Sequence, residues 1–141
     1  MKKLYTGGTF DLFHSGHVNF LRQCSLLCDN VIVSLNTDEF IESYKGKPPI
    51  MSYQERESIL SACKYVDKVV PNVGGSDSKP AILSVAPQIL AVGDDWASKD
   101  YYKQMKFTQE WLDSQQIVLV YVPYTKGIST TELKKKLKEF A

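Results

Sequence analysis

Five short runs of β-branched and aliphatic residues alternate along the chain with segments that have the spacing or the capping residues of helices. These runs predict strands at residues 2–6, 30–36, 67–70, 88–92 and 117–122. Strands and helices in alternation, joined by short turns, are typical of a parallel sheet with helices on both faces. We therefore expect an α/β fold, a single Rossmann-like doubly wound domain over residues 1–141 with a five-stranded parallel sheet.

Helices are predicted between these strands and at the end of the chain. They are expected at residues 18–28, 53–62, 100–114 and 129–139, with shorter ones opening near residue 37 and at Pro80. Two capping-box patterns support them, because Ser52 precedes Glu55 by three residues and Ser129 precedes Glu132 likewise. The apolar residues of the 100–114 segment are only loosely helical in spacing, so Thr108 could instead cap a second, shorter helix.

Charge and composition exclude several classes of function. The 17 basic and 16 acidic residues leave a net charge of +1, which argues against a general nucleic-acid binder. No stretch approaches the roughly 20 apolar residues that span a membrane, and no apolar run follows Lys2 and Lys3 to form a signal peptide. Cys24, Cys28 and Cys63 make an odd count, which fits a reducing compartment, and we expect core positions for Cys24 and Cys28. The protein is expected to be cytoplasmic.

A glycine-rich stretch, Gly7 to His17, lies between the first predicted strand and the first predicted helix. Such a turn gathers unpaired backbone N–H groups at the positive end of a helix dipole, which favours an anion. His14 and His17 add imidazole N–H donors on one face, and Gly16 keeps the space between them open. The stretch therefore predicts a polyphosphate site.

Two later stretches also follow strands and are expected to open at the same edge of the sheet. Gly93 allows close approach of a ligand, and Trp96 can line the pocket of a flat base. Residues 124–131 bring hydroxyls and N–H groups to a helix start, which again favours phosphate oxygens. Ser129 in this stretch would also serve as the N-cap of the last helix.

The stretch His14-Ser15-Gly16-His17, preceded by Gly8-Thr9-Phe10-Asp11, resembles the HxGH signature and GTFD lead-in of cytidylyltransferases in the nucleotidyltransferase superfamily. The chain is similar to the bacterial glycerol-3-phosphate cytidylyltransferases over nearly its whole length. The resemblance includes GDDW at 93–96, GISTT at 127–131 and the serine, tyrosine and arginine of a family motif at 52–56.

Several positions depart from that family. Tyr124 and Lys64 stand where the family has arginines, and a tyrosine cannot make the planar, bidentate phosphate contact of an arginine. Lys126, at a family glutamate, could restore the positive charge, in which case Lys126→Glu should weaken CTP binding. Residues 43–49 predict a mobile, lysine-bearing loop, one residue out of step with the commonest family pattern. The helix predicted at 100–114 is longer than the resemblance implies.

The resemblance implies a role for each matching residue. Catalysis would use His14, His17, Lys47 and Arg56. Nucleotide contacts would come from Gly8, Thr9, Phe10, Asp11, Gly16, Gly93, Asp95, Trp96, Thr125, Gly127, Ile128, Ser129 and Thr130. The acceptor phosphate would meet Lys45 and Lys79. Mg²⁺ is expected as the companion of CTP without direct protein ligands, and Asp11 would either hold its loop or meet this ion through water.

These residues permit group transfer without a covalent intermediate, because no activated nucleophile stands out. The oxygen of a phosphate monoester needs no base, so the enzyme must mainly position substrates and neutralise charge. We expect transfer of CMP from CTP to a small phospho-alcohol, glycerol 3-phosphate first, by direct in-line attack. The alternatives are another phospho-acceptor, ATP as donor, or a non-catalytic nucleotide-binding module. The expected partners include no nucleic acid and no membrane, and the resemblance implies a homodimer.

Overall fold

The strands form one sheet with the first strand at its centre. The computed structural model describes residues 1–95, 99–124 and 128–140. Its strands are β1 (Lys3–Gly8), β2 (Asn30–Leu35), β3 (Lys68–Pro71), β4 (Ile89–Gly93) and β5 (Val118–Val122). All neighbouring pairs are parallel, in the order β3-β2-β1-β4-β5. The predicted five-stranded parallel sheet is confirmed.

The strand order reverses direction at β1. The chain builds outward from β1 through β2 to β3, and then returns to place β4 on the opposite side of β1. Gly8 pairs with Leu35, so β1 and β2 end at the same height of the sheet. Gly93 pairs with Val122, so β4 and β5 also end together. In such sheets the crevice for a ligand lies at the carboxyl ends where the order reverses. This crevice lies between the ends of β1 and β4.

The helices of the described residues lie between and after these strands. They are α1 (Ser15–Ser25), α2 (Asp38–Lys45), α3 (Tyr53–Ala62), α4 (Lys79–Val85), α5 (Tyr101–Met105), α6 (Gln109–Ser114) and α7 (Thr130–Phe140). In this part of the chain, none of them has both the length and the apolar character that crossing a bilayer requires.

Several element boundaries differ from the predictions, and one alternative is decided; β1 extends to Gly8 and α1 ends at Ser25. The first helix begins at Ser15 rather than at residue 18, because His14 is its N-cap. Residues 43–45, predicted within a mobile loop, form the last turn of α2, which ends at Gly46 with a φ of 79°. The 100–114 segment is two helices, and Thr108 caps the second by accepting a hydrogen bond from the backbone N–H of Trp111.

Each face of the sheet is covered by its own apolar core. Alternate residues of β1 point to opposite faces, so Leu4 belongs to one cluster and Tyr5 to the other. The first cluster includes Cys24 of α1, whose thiol pKa is raised to about 12, chiefly by burial. Cys28 and Cys63 pack against the same cluster, and all three cysteines are free thiols. The prediction that Cys24 and Cys28 are core residues is confirmed.

Candidate active site

His14 and His17 form a stacked pair at the start of α1. The Nδ1 atom of His14 accepts a hydrogen bond of 3.0 Å from the backbone N–H of Gly16. The backbone N–H of His14 in turn donates to Nδ1 of His17 at 3.2 Å, and the ring centroids lie 3.8 Å apart. Because each Nδ1 is an acceptor, each neutral imidazole carries its proton on Nε2. The pair therefore presents two Nε2–H donors.

Burial keeps both imidazoles uncharged. Each histidine has only 8% of its surface exposed. Burial lowers the pKa of His14, and it lowers the pKa of His17 to about 3, with His14 adding to that effect and Asp11 opposing it. Nε2 of His14 is buried and has no hydrogen-bond partner among the described residues. A buried donor of this kind favours an acceptor oxygen on a ligand.

Gly16 holds the shape of this pair. A Cβ atom at this position would lie 2.8 Å from Cε1 of His14 and 3.3 Å from Cγ2 of Ile128. Any larger residue would therefore displace the His14 ring. The same contact places Ile128, just before α7, beside the histidines, as the predicted convergence of the two stretches requires.

The turn after β1 has a constrained backbone. Phe10 and Leu12 adopt positive φ angles of 52° and 49°, which cost non-glycine residues about 1–2 kcal/mol each. The Asp11 carboxylate between them accepts hydrogen bonds from the backbone N–H groups of Ile50 at 2.8 Å and Met51 at 2.9 Å. The Asp11 carboxylate therefore holds the loop before α3, one of the two roles that the sequence left open, and its predicted contact with the nucleotide stays a prediction.

Arg56 is buried behind the same turn. Its guanidinium donates to the carbonyl oxygens of Thr9 at 2.9 Å and Asn36 at 2.8 Å, and pairs with Asp38 at 2.6 Å. It also donates to the Met51 carbonyl at 3.0 Å. The resemblance implies a catalytic arginine that faces the substrate, but these contacts make Arg56 a positioning residue that joins the ends of β1 and β2 to α2.

The start of α7 reaches the turn from the other side. The Thr130 hydroxyl donates to the Asp11 carbonyl at 2.8 Å, so its proton is not directed at a phosphate as predicted. Ser129 caps α7 by accepting from the backbone N–H of Glu132 at 3.1 Å, which leaves its hydroxyl proton available for a ligand. The turn is thus held by α3 and α7 together.

A first cavity of about 230 Å³ opens beside His17. Its walls are Thr6, Gly7, Gly8, Thr9, Phe10, His17, Phe20, Val92, Gly93, Asp95 and Tyr124. At Gly93, a Cβ atom would lie 2.6 Å from an Asp95 carboxylate oxygen and 3.2 Å from the Tyr124 ring. The cavity therefore joins predicted residues from β1 and β4 with Tyr124, at the position of the family arginine.

The three predicted lysines lie apart from this cavity. Lys45 ends α2, with its Nζ 5.9 Å from the centroid of the Tyr44 ring, and Lys47 is exposed just beyond it. Lys79 pairs with Asp77 at 3.0 Å and donates to the Lys106 carbonyl. The structure thus does not bring these ammonium groups next to the histidines, and their contacts with substrate remain predictions.

A second cavity, of about 320 Å³, was not predicted. It is lined by Asn36 and Asn72, which follow directly after β2 and β3. Asn36 donates to Oγ1 of Thr9 at 3.2 Å and accepts from Asn72 at 3.1 Å. Their place at strand ends was the available signal, since polar residues there face the ligand edge of a parallel sheet.

The predicted contacts of Trp96, Thr125 and Gly127, and the hypothesis on Lys126, lie outside the described residues.

Paired imidazole donors, a helix start and a cavity at the reversal point of a parallel sheet are features of a site that binds nucleotide phosphates. A profile of the cytidylyltransferase-like family matches residues 5–136. The chain belongs to this family.

Individual relatives match over nearly the whole chain. The glycerol-3-phosphate cytidylyltransferase of Bacillus subtilis (strain 168) is 38% identical over 138 residues, covering 97% of this chain and 98% of its own. The FAD synthase of Pyrococcus horikoshii is 32% identical over 139 residues, covering 97% and 93%. The crystal structure of a lipopolysaccharide core biosynthesis protein from Thermoplasma volcanium has a TM-score of 0.71 at 25% identity, covering 89% of this chain and 99% of that chain.

Proposed function

We propose that the protein transfers CMP from CTP to a phosphorylated alcohol, giving a CDP-alcohol and pyrophosphate, with glycerol 3-phosphate as the first candidate acceptor. The observation that carries this proposal is the stacked, buried histidine pair, of which His17 lines a cavity at the switch point of the sheet. The name of the Bacillus subtilis relative supports both the nucleotide and the acceptor.

The proposed step is a direct displacement at the α-phosphorus of CTP. An oxygen of the acceptor phosphate forms the new P–O bond, the bond from the α-phosphorus to the bridging oxygen of the β-phosphate breaks, and pyrophosphate leaves. The Nε2–H groups of His14 and His17 donate hydrogen bonds to the α- and β-phosphate oxygens as negative charge builds there. The Ser129 hydroxyl donates to oxygens of the β- and γ-phosphates. No base is required, because the acceptor oxygen is already ionised at neutral pH.

Mg²⁺ enters this proposal as the companion of the triphosphate. Among the described residues there is no group of three or more histidine, cysteine or carboxylate side chains that could hold a metal ion. The two Asp11 oxygens are engaged by backbone N–H groups. The chemistry of the side chains therefore fits an ion carried mainly by phosphate oxygens and water, which is how Mg²⁺ is usually bound with nucleotides.

Pyrophosphate release tests the proposal directly. We expect release from CTP and glycerol 3-phosphate in the presence of Mg²⁺, and little from ATP with the same acceptor. His17→Ala should lower kcat by at least about 100-fold, since it removes a donor to the developing charge. Faster turnover with ATP and flavin mononucleotide would favour the activity named for the FAD synthase relative. CTP binding without turnover on any phospho-acceptor would favour a binding module.

We also propose, from the family resemblance, that the protein is a homodimer. Light scattering after size-exclusion chromatography would give twice the mass of the 16.0 kDa chain. A monomer at micromolar concentration would contradict this.

A further inference from the structure

The second cavity adjoins the first across the carboxyl ends of β1 and β4. The two cavities share Gly7, Gly8, Thr9 and Val92 in their walls. A molecule in the second cavity can therefore reach a nucleotide phosphate held in the first. At about 320 Å³ the second cavity is at the lower end of the range for small-molecule sites. This position suits the organic body of an acceptor rather than a second nucleotide.

The wall of the second cavity is polar but uncharged. None of the described residues that line it is an aspartate, glutamate, lysine, arginine or histidine. Asn36, Asn72 and Gln104 provide amides, and Ser34 and Tyr44 provide hydroxyls. Amide and hydroxyl groups are the usual partners of neutral hydroxyls, which both donate and accept.

One wall amide is held firmly in place. Asn72 donates through Nδ2 to the side-chain oxygen of Asn36 at 3.1 Å and to the carbonyl of Gly75 at 3.0 Å. Its own Oδ1 has no hydrogen-bond partner among the described residues. The amide thus retains acceptor capacity while its orientation is fixed, a preorganised arrangement that favours recognition of a hydroxyl.

Two ammonium groups lie near the rim of this cavity, and the neighbouring Asp77 carboxylate is already paired with a third, that of Lys79. Lys106 donates through Nζ to the hydroxyl of Ser76, a wall residue, at 3.1 Å. Lys45 lies near the ring of Tyr44, another wall residue. A cationic head group entering here would meet no carboxylate in the described wall and would approach like charges, which raises the cost of its desolvation.

The far wall of the second cavity belongs to α5. Tyr101, Gln104 and Met105 of α5 line the cavity. The end of α5 is attached to the opposite loop, because the carbonyl of Met105 accepts hydrogen bonds from the hydroxyl of Ser78 at 2.6 Å and from its backbone N–H. This attachment places the amide of Gln104 on the cavity wall.

We propose that the second cavity binds the neutral, polyhydroxylated body of the acceptor, and that Gln104 and Asn72 select a polyol phosphate over phosphate esters with a cationic head. This inference rests on the proposed function. The acceptor phosphate would lie at the shared wall near Thr9, and the hydroxyls of the acceptor would meet the amides beyond it.

A panel of acceptors tests this selectivity. We would measure CTP-dependent pyrophosphate release with glycerol 3-phosphate, ribitol 5-phosphate, ethanolamine phosphate and phosphocholine. The better polyol phosphate should exceed both cationic esters in kcat/KM by at least about 10-fold. Gln104→Leu should raise the KM of that polyol phosphate about 5- to 10-fold and leave the KM of CTP unchanged.

The chain offers a matched control for this exposed glutamine. Gln109, the first residue of α6, is also exposed and does not line the cavity, so Gln109→Leu should leave both KM values unchanged. Gln104→Glu would add the missing carboxylate and should improve the relative use of ethanolamine phosphate.

The inference would be overturned by equal kcat/KM values for cationic and polyol esters, or by an unchanged acceptor KM in Gln104→Leu. Turnover of CTP would in either case still support the proposed function. No pyrophosphate from CTP with any of the four esters would count against the proposed function instead.

Discussion

At the scale of single residues, the site depends on how two imidazoles are held. Both Nδ1 atoms accept backbone hydrogen bonds, which leaves the Nε2 protons for a ligand. The geometry is sensitive to the residue between them, because Gly16 leaves no room for a methyl group beside His14. The position of a donor matters for catalysis more than its presence, since charge stabilisation depends on distance and direction.

Gly16→Ala should therefore impair catalysis without unfolding the protein. The added methyl group displaces the His14 ring, and we expect kcat to fall about 100-fold, as misplacement on the order of 1 Å can cost that much. The free energy of unfolding should change by less than about 1 kcal/mol, because the better helix propensity of alanine offsets part of the clash. Steady-state kinetics and urea unfolding measure the two effects. Ser15→Ala, at an exposed neighbouring position, is the control, and an unchanged kcat in Gly16→Ala would contradict the role given to His14.

At the scale of elements, the turn after β1 is held by elements distant in sequence. Arg56 of α3 bonds to the carbonyls of Thr9 and Asn36, Asp11 bonds to the loop before α3, and Thr130 of α7 bonds to Asp11. The positive φ angles at Phe10 and Leu12 need such support, because strained backbone persists only where its surroundings determine it.

Arg56→Ala should destabilise the fold strongly. It removes a fully buried guanidinium and leaves one Asp38 oxygen and three carbonyl oxygens without their partner. Because the Asp38 side chain is 34% exposed, we expect the lower end of the about 3–5 kcal/mol that losing one member of a buried pair costs. Urea unfolding followed by circular dichroism would show this loss. Arg22→Ala, which removes the exposed arginine of α1, should change stability by less than about 0.5 kcal/mol. A similar small effect at Arg56 would mean that its hydrogen bonds do not hold the turn.

At the scale of the whole molecule, burial of the two histidines links stability to pH. These are the only histidines in the sequence, and burial lowers the pKa of both in the folded state. In the unfolded chain the histidines take up protons below their ordinary pKa of about 6.5. In the folded protein they take up protons only at lower pH. The resulting stability is fully present above about pH 6.5 and is lost as the pH falls toward about 3, the folded pKa of His17.

The free energy of unfolding should thus decrease between pH 7 and pH 5. Each imidazole that takes up a full proton only on unfolding contributes a slope of about 1.4 kcal/mol per pH unit. Urea titrations at pH 7.0, 6.0 and 5.0 would measure the slope, and the His14→Gln, His17→Gln double variant should flatten it. Direct NMR titration of the His17 ring should show no protonation down to pH 4.5. A ring that titrates near pH 6.5 would contradict the burial argument.

Much of the architecture could be predicted from local sequence. Strand–helix alternation predicts the parallel sheet, and the threonine at 108 correctly indicates the break between α5 and α6. Capping residues act within one turn of the chain, so sequence reports them directly. The sequence predicts the start of α1 three residues too late, because His14 is an unusual N-cap. It predicts a loop where α2 has its last turn, because lysines and prolines follow closely.

The sequence by itself determined the order of the strands and helices, the histidine pair and the stretches that would meet at one edge. Only the tertiary structure decided the partners of Asp11, Arg56 and Lys79, and it alone formed the second cavity. The physical reason is that a buried charge is satisfied by whichever backbone groups folding brings to it. For Arg56, the carbonyl oxygens that accept its hydrogen bonds belong to residues as far as 47 positions away in the sequence, which no local pattern specifies.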